Sequence, residues 1–350
     1  MGNVTRVALV GFGMAGRVFH APLVSATQGL ALHTVVSSDP ERVLAVYPDV
    51  QVCADPADAF ANPEIGLVVI ATPNDTHAPL AMAALAHGKH VVVDKPFALN
   101  VRQARQVVDA AQAAQRLVSV FHNRRWDSDF LTLRALLDAG VLGQVAEFHS
   151  HFDRYRPGVA DRWRERNEPG AGAWFDLGPH LLDQALQLFG WPDAVMADLA
   201  AQREKACVDD YFHVVLKYPR HRVILHGGAL VAASSLRFAV HGTRASFVKH
   251  GLDAQEAALK DGAAPGVEGW GSDPRPGQLH APGDASMDVV AVESVPGDYL
   301  QYYRSMREAI LGRGAAPVTV GEALRVMHLL ELSRESARSG RELSAPNPAP

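Results

Sequence analysis

The stretch from Arg6 to His20 constrains this chain more than any other. It reads Arg-Val-Ala-Leu-Val-Gly-Phe-Gly-Met-Ala-Gly-Arg-Val-Phe-His. An apolar run, Val7 to Val10, ends in Gly11-x-Gly13-x-x-Gly16 and then turns into helix. That order of strand, glycine turn and helix start is the one that holds a dinucleotide pyrophosphate. Gly11 makes the tight turn, Gly13 lets the backbone approach the phosphates, and Gly16 lets helix and strand pack closely. The first helical amides then face the anion. Phe12 and Met14 lie inside the turn and count with the glycines as cofactor-binding positions. A plain glycine-rich turn is the competing reading.

The chain continues in the same rhythm. A second strand, Ala31 to Val36, ends about 20 residues after the glycines, where the adenosine ribose is met. An acid there accepts from both ribose hydroxyls. This chain has Ser37-Ser38, which can donate to a 2'-phosphate, with Arg42 a turn later to neutralise it. Asp39 follows one place on, and a shift of one residue would restore the acid. Asp39-Pro40 also reads as a helix N-cap with proline at the first helical position. The cap reading favours NADP, with NAD possible.

Leu67 to Ala71 is apolar and β-branched, as a buried parallel strand should be. It ends in Thr72-Pro73-Asn74, with His77 opening an alanine-rich helix. Strand His90 to Val93 ends in Asp94-Lys95-Pro96. Strand Leu117 to Phe121 ends near His122-Asn123-Arg124-Arg125. Strand ends of this kind lie at the carboxyl edge of a sheet, where ligands bind. Six alternations of strand and helix predict an α/β, doubly wound parallel (Rossmann) domain over residues 1–122.

From 123 to 343 the pattern changes. Six alternating strands between Val145 and Lys249 predict a large, mostly antiparallel sheet. A helix over Leu181 to Phe189 and others at Tyr299 to Leu311 and Gly321 to Arg338 make this an α+β domain. The Gly/Pro-rich stretch 261–297 reads as one long loop, and 344–350 as a flexible tail.

The 350 residues carry a net charge of -5 and no basic stripe, which argues against nucleic acid as a partner. No apolar run is long enough for a membrane helix. The two cysteines, Cys53 and Cys207, read as reduced thiols of a cytoplasmic protein. Among 16 histidines none has zinc spacing, and His149 with His151 on one strand face is a poor ligand set, so no metal is expected.

Lys95 at the end of a buried strand, partly desolvated, is suited to exchange a proton with a substrate hydroxyl. An ordinary surface lysine is the alternative. Asp176 and His180, four apart, share a helix face and can orient that hydroxyl. Asp176 could instead cap its helix, and His180 could be a buried histidine bonded to backbone. Asn123, Arg124 and Arg125 at the ligand edge, and Arg154, Tyr155, Arg156 and Trp163 on a polar loop, are candidates to contact cofactor or a polyol.

Jointly these stretches resemble the Gfo/Idh/MocA oxidoreductase family. The residues that carry the resemblance are Gly11-Phe-Gly-Met-Ala-Gly16, Phe19-His-Ala-Pro22, Ala71-Thr-Pro-Asn74 with His77, Asp94-Lys95-Pro96, Asn123-Arg-Arg-Trp-Asp-Ser-Asp-Phe130 and Trp174-Phe-Asp-Leu-Gly-Pro-His180. The second and the last two look like the subgroup of NADP-dependent scyllo-inositol dehydrogenase. The resemblance implies Lys95, Asp176 and His180 as the catalytic set; by their place at the carboxyl edge, Thr72, Pro73, Asn74, His77, Asp94, Lys95, Pro96 and Asn123 are expected beside the cofactor. With the edge and loop candidates, Lys95, Arg124, Arg125, Tyr155, Trp163, Asp176 and His180 make up the expected substrate contacts. The resemblance also implies a cis peptide before Pro96, and a homodimer or homotetramer packed through the second sheet. Asp94 departs from the family's usual glutamate. The expected activity is hydride transfer between NADP and a polyol, inositol or sugar. The alternatives are a sugar-sensing regulator without turnover and a nicotinamide-dependent glycosidase.

Overall fold

In the computed structural model the described residues are 4–233, 236–283 and 286–347. Six strands form a parallel sheet: β1 (Thr5–Val10), β2 (Leu30–Val36), β3 (Gln51–Cys53), β4 (Ile65–Ile70), β5 (His90–Val93) and β6 (Val118–Val120), in the order β3-β2-β1-β4-β5-β6. The order reverses between β1 and β4, so the crevice for a ligand opens beside those two strands. Val7 to Val10 and Leu67 to Ile70 are buried on both faces, as apolar runs without alternation predict.

The register brings the strand ends into line. Val36, Val10, Ile70, Val93 and Val120 are successive partners across the sheet. The first residue beyond four of these strands still donates to its neighbour: Gly11 to Val36 O (3.0 Å), Ala71 to Val10 O (2.9 Å), Asp94 to Ile70 O (2.9 Å) and Phe121 to Val93 O (2.8 Å). The glycine turn, Thr72-Pro73-Asn74 and Asp94-Lys95-Pro96 therefore leave the sheet along one edge.

The second sheet has nine strands: β7 (Val145–His151), β8 (Ala194–Ala200), β9 (Tyr211–Lys217), β10 (Arg222–Gly228), β11 (Leu236–Gly242), β12 (Ser246–His250), β13 (Gly277–Pro282), β14 (Met287–Val292) and β15 (Leu343–Ser344). Their order is β14-β13-β12-β11-β7-β10-β9-β8-β15, and only the β7–β10 pair is parallel.

Three expectations are corrected here. The 261–297 stretch is not one loop, because β13 and β14 pair within it as a hairpin. Ser344 belongs to β15, and Ala345 is buried and donates to Asp193 O, so the tail is anchored at its start; residues 348–350 lie outside the described residues. The helix placed at Leu181 begins at Ala173 and runs to Phe189, with Pro179 inside it.

The chain divides into two compact units. The first holds Met1–Asn123 with Gln255–Trp270 and Asp298–Met327; the second holds Arg124–Ala254, Gly271–Gly297 and His328–Pro350. Two stretches of the C-terminal half thus fold with the N-terminal sheet rather than with the second one. Tyr302 and Tyr303, fully buried, pack their rings on Phe121, and Tyr302 Oη donates to Ser119 Oγ at 2.9 Å. Among the described residues no helix is long and apolar enough to cross a membrane.

Candidate active site

Each glycine of the first turn has its own reason. Gly11 has φ +96°, and a Cβ there would meet Ala71 O at 2.7 Å. A Cβ on Gly16 would collide with the carbonyl oxygen of Gly11, while one on Gly13 would meet nothing within 4 Å. Gly13 therefore borders open space, on the side where a phosphate would approach. After Gly16 the chain makes a wide π-type turn, Gly16–His20, before the short α-helix Ala21–Ala26. Such turns inside helices are frequent at functional sites. Met14 is exposed, whereas the Phe12 ring is buried edge-on against Tyr47. Phe12 thus offers a ligand its backbone only. The cradle fits a nicotinamide dinucleotide: the turn is tight, the helix sits close and the middle position is clear.

At the end of β2, Ser37 Oγ accepts from Asp39 N at 3.1 Å, and Asp39 Oδ1 accepts from Arg42 N at 3.0 Å. Asp39 is the N-cap of the helix Pro40–Leu44. The carboxylate is thereby engaged with its own helix, and Ser38 and the Arg42 side chain are exposed.

At the end of β5, the backbone N–H of Lys95 donates to Asp94 Oδ1 at 2.8 Å, and Lys95-Pro96 is cis. Lys95 itself is half-buried. His20 Nε2 lies 3.9 Å from the same Asp94 oxygen, an electrostatic contact too long for a hydrogen bond. The other His20 nitrogen, Nδ1, meets Tyr303 Oη at 2.6 Å. Burial alone would raise the Asp94 pKa, but His20 first, then Lys95 and His77, hold the carboxyl at about 2.

His77 departs from the expected ligand contact. Its ring is fully buried and faces two backbone carbonyls, Pro96 O at 2.7 Å and Thr72 O at 3.0 Å. Burial lowers its pKa, so the neutral ring has one N–H, which we assign to the shorter contact. It ties the loop after β4 to the loop after β5, and reaches a cofactor only through them. Thr72 Oγ1 and Thr76 Oγ1 share a 2.6 Å hydrogen bond in the first of those loops, where Pro73 is exposed and Asn74 buried. Asn123 is buried at the end of the first unit's leading segment.

In the second unit, Arg124 and Arg125 are engaged inside the protein instead of presented to substrate. Arg125 forks Asp183 at 2.8 and 2.6 Å, both buried, and Arg124 donates to Asp127 at 3.2 Å with its guanidinium over Phe152. Asp176 is not the helix cap. Gly172 is the N-cap residue, and Asp209 accepts from Trp174 N at 2.6 Å, so it performs the capping. Asp176 lies in the first turn, 3.3 Å from Arg164 Nε, and His180 follows one turn later, buried. Gly178 is required between them, since a Cβ there would come 2.6 Å from the Trp174 ring.

Asp176 lines an open cavity, with Arg154, Arg156, Arg164, Gly172 and Gly228 among its walls. Tyr155 is exposed, and Trp163 stacks with the Arg164 guanidinium 4.7 Å over its ring. Sequence reasoning missed Arg203, buried at the cavity. It pairs with Asp210 and Glu165 and donates to the carbonyls of Arg156 and Gly158, fixing the loop that carries the cavity's arginines. An arginine between two small polar stretches gives no local signal of that role.

Residues 5–122 match the oxidoreductase-family description of an NAD-binding Rossmann fold, and residues 134–344 match that family's C-terminal alpha/beta domain. The chain is 52% identical to the uncharacterized oxidoreductase YdgJ of Escherichia coli, over 97% of this chain and 98% of that protein. It is 38% identical to scyllo-inositol 2-dehydrogenase (NADP(+)) IolW of Bacillus subtilis, over 97% and 96%. A solved structure from Yersinia pestis, described as an oxidoreductase, superposes with a TM-score of 0.96 at 48% identity, covering 100% of this chain and 99% of that one.

Proposed function

Because the chain belongs to the Gfo/Idh/MocA family of oxidoreductases, and is a dehydrogenase or reductase acting through a nicotinamide cofactor, we propose that it prefers NADP and acts on a polyol, an inositol or a sugar. The observation that carries the cofactor preference is Asp39. Its carboxylate caps the helix Pro40–Leu44, which leaves Ser38 and Arg42 exposed at the ribose position. Hydroxyl donors and a guanidinium suit a 2'-phosphate, and a carboxylate engaged as a cap suits it better than one facing the ribose. That the relative IolW is named as an NADP enzyme for scyllo-inositol supports both parts of the reading.

A nicotinamide held in the glycine cradle would supply the hydride-transfer chemistry. The chain supplies position and proton traffic. Lys95 takes the substrate hydroxyl proton as the C–H bond breaks, and Asp94 holds the backbone N–H from which the lysine side chain extends. Asp176 and His180, one turn apart on the helix Ala173–Phe189, orient the reacting hydroxyl. The resemblance to the family implies assembly as a homodimer or homotetramer through the second sheet, and we extend that expectation to this chain.

The test is the absorbance of reduced nicotinamide during incubation with NADP+ or NAD+ and a panel of inositols, alditols and aldoses, with Lys95→Ala as control. Turnover that prefers NADP+ and falls by roughly 100-fold or more in the variant supports the proposal. Preference for NAD+ would mean that Asp39 leaves its cap to hold the ribose.

A further inference from the structure

One side-chain cluster in the second unit is unaccounted for by the oxidoreductase chemistry. His151 on β7 and His226 on β10 are direct partners in the parallel register, and His213 on β9 is the partner of His226 on its other side. The rung ends at Asp198 on β8, opposite His213. Three imidazoles therefore stand in a row across adjacent strands, with ring centroids 5.0 Å apart for His151–His226 and 5.6 Å for His213–His226. Asp153, two residues past His151, turns its carboxylate into this row. Oδ2 lies 3.0 Å from His151 Nδ1 and Oδ1 lies 3.4 Å from His226 Nε2.

We propose that His151, Asp153 and His226 form a binding site for a divalent transition-metal ion of the zinc(II) class. The three ligand atoms lie within 4.8 Å of one another. Ligands about 2.1 Å from a tetrahedral ion stand about 3.4 Å apart; each imidazole nitrogen already lies near that distance from one of the two Asp153 oxygens, and a small closing movement would bring both onto a shared ion. Two imidazole nitrogens with one carboxylate oxygen suit zinc, cobalt, nickel or iron(II), not the all-oxygen preference of magnesium or calcium. The carboxylate is held in place from outside the cluster, since Asp153 Oδ1 accepts from Gly228 N at 3.2 Å. Such support orients a ligand before the ion arrives. Three protein ligands leave a coordination position for water.

The cluster also has a place relative to the cavity. Phe152 and Gly227 line the cavity and alternate along the chain with His151, Asp153 and His226. Side chains on successive strand residues point to opposite faces, so the cluster lies behind the cavity floor. A bound ion would join the ends of β7 and β10 and steady the floor without touching substrate. The sequence signal was weak: His-x-Asp on one strand and a lone histidine 75 residues further on show no ligand spacing until the strands pair.

The experiment uses tag-free, chelator-treated full-length protein titrated with Co2+ and followed by visible absorption, with Zn2+ as competitor. The expected result is one equivalent of Co2+ per chain with ligand-field bands that Zn2+ abolishes, and a thermal midpoint raised by Zn2+. Loss even of an outer-shell partner weakens metal binding by about tenfold or more. His151→Gln and His226→Gln should each do at least that, while His241→Gln, on a histidine bonded to Ser246, should leave binding intact. Circular dichroism of each variant separates lost binding from lost folding. Absence of Co2+ bands in the parent protein, or bands unchanged in folded His151→Gln and His226→Gln, would overturn the assignment.

Discussion

The backbone N–H of Lys95 donates to the carboxylate of its own neighbour, Asp94, across 2.8 Å. The backbone nitrogen bonded directly to the lysine's Cα is thus fixed by a side chain that is itself buried. The position of the amine is set from the backbone outward, which leaves the long side chain to make its own contacts. Replacing Lys95 by alanine should lower turnover by roughly 100- to 10,000-fold, the usual worth of a positioned proton-transfer group. Cofactor affinity, followed by fluorescence titration, should change little.

Asp94 also couples folding to acidity. Its pKa falls from an ordinary 3.8 to about 2 in the folded state, so it binds its proton less tightly folded than unfolded. Its stabilisation is present above about pH 4 and is lost as pH falls through 2. The effect is about 2 kcal/mol at neutral pH. Denaturant midpoints measured from pH 2 to 6 should fall less steeply for Asp94→Asn than for the parent protein.

The glycine turn allows folding and binding to be separated. Gly13→Ala adds a methyl group where nothing lies within 4 Å, so its thermal midpoint should match the parent while cofactor binding drops sharply. Gly16→Ala drives a methyl into the carbonyl of Gly11 and should lose stability as well. Calorimetry and cofactor titration on the two variants distinguish these outcomes. Equal stability loss in both would mean that Gly13 is a packing residue.

Cofactor choice should respond at Arg42. A charge-assisted contact to a 2'-phosphate is worth about 1.5–3 kcal/mol. Arg42→Ala should therefore reduce kcat/KM for NADP+ roughly 10- to 100-fold and leave NAD+ nearly unchanged. Ser37→Asp should move preference toward NAD+. Initial rates with both cofactors provide the check.

Arg125 and Asp183 form a buried pair that should be costly to break from one side. Arg125→Ala leaves the Asp183 carboxylate buried and uncompensated and should destabilise the second unit by about 3–5 kcal/mol. The double substitution Arg125→Leu with Asp183→Leu should cost clearly less. Urea titrations of the two variants give the comparison.

Much of the first unit was legible because its signals are local. A β-branched apolar run such as Leu67 to Ile70 has only one comfortable place, and the glycines that follow Val10 are spaced by the ligand they serve. Arg124, Arg125 and His77 were misread for one shared reason. Polar residues at a ligand edge look the same in sequence whether they face a ligand or a buried partner, and the partners of Arg125 and His77 are 58 and 19 residues away. Pro179 hid the first two turns of its helix, since proline ordinarily marks a start and here stands well inside. The β13–β14 hairpin was hidden by the glycines and prolines around it. Asp209 as the true cap is a contact from a distant loop, which no spacing announces.

The chain's route has a practical consequence for anyone who would take it apart. Tyr302 and Tyr303 bury the rings of Phe121 and His20, yet they are encoded some 180 residues after the strand they shield. A fragment ending at Asn123 would keep every glycine of the cradle but present that aromatic surface to water. It should aggregate on expression, and the cofactor-binding half of this gene cannot be borrowed by a simple cut. A usable graft must carry 298–327 along with it, joined by a new connection.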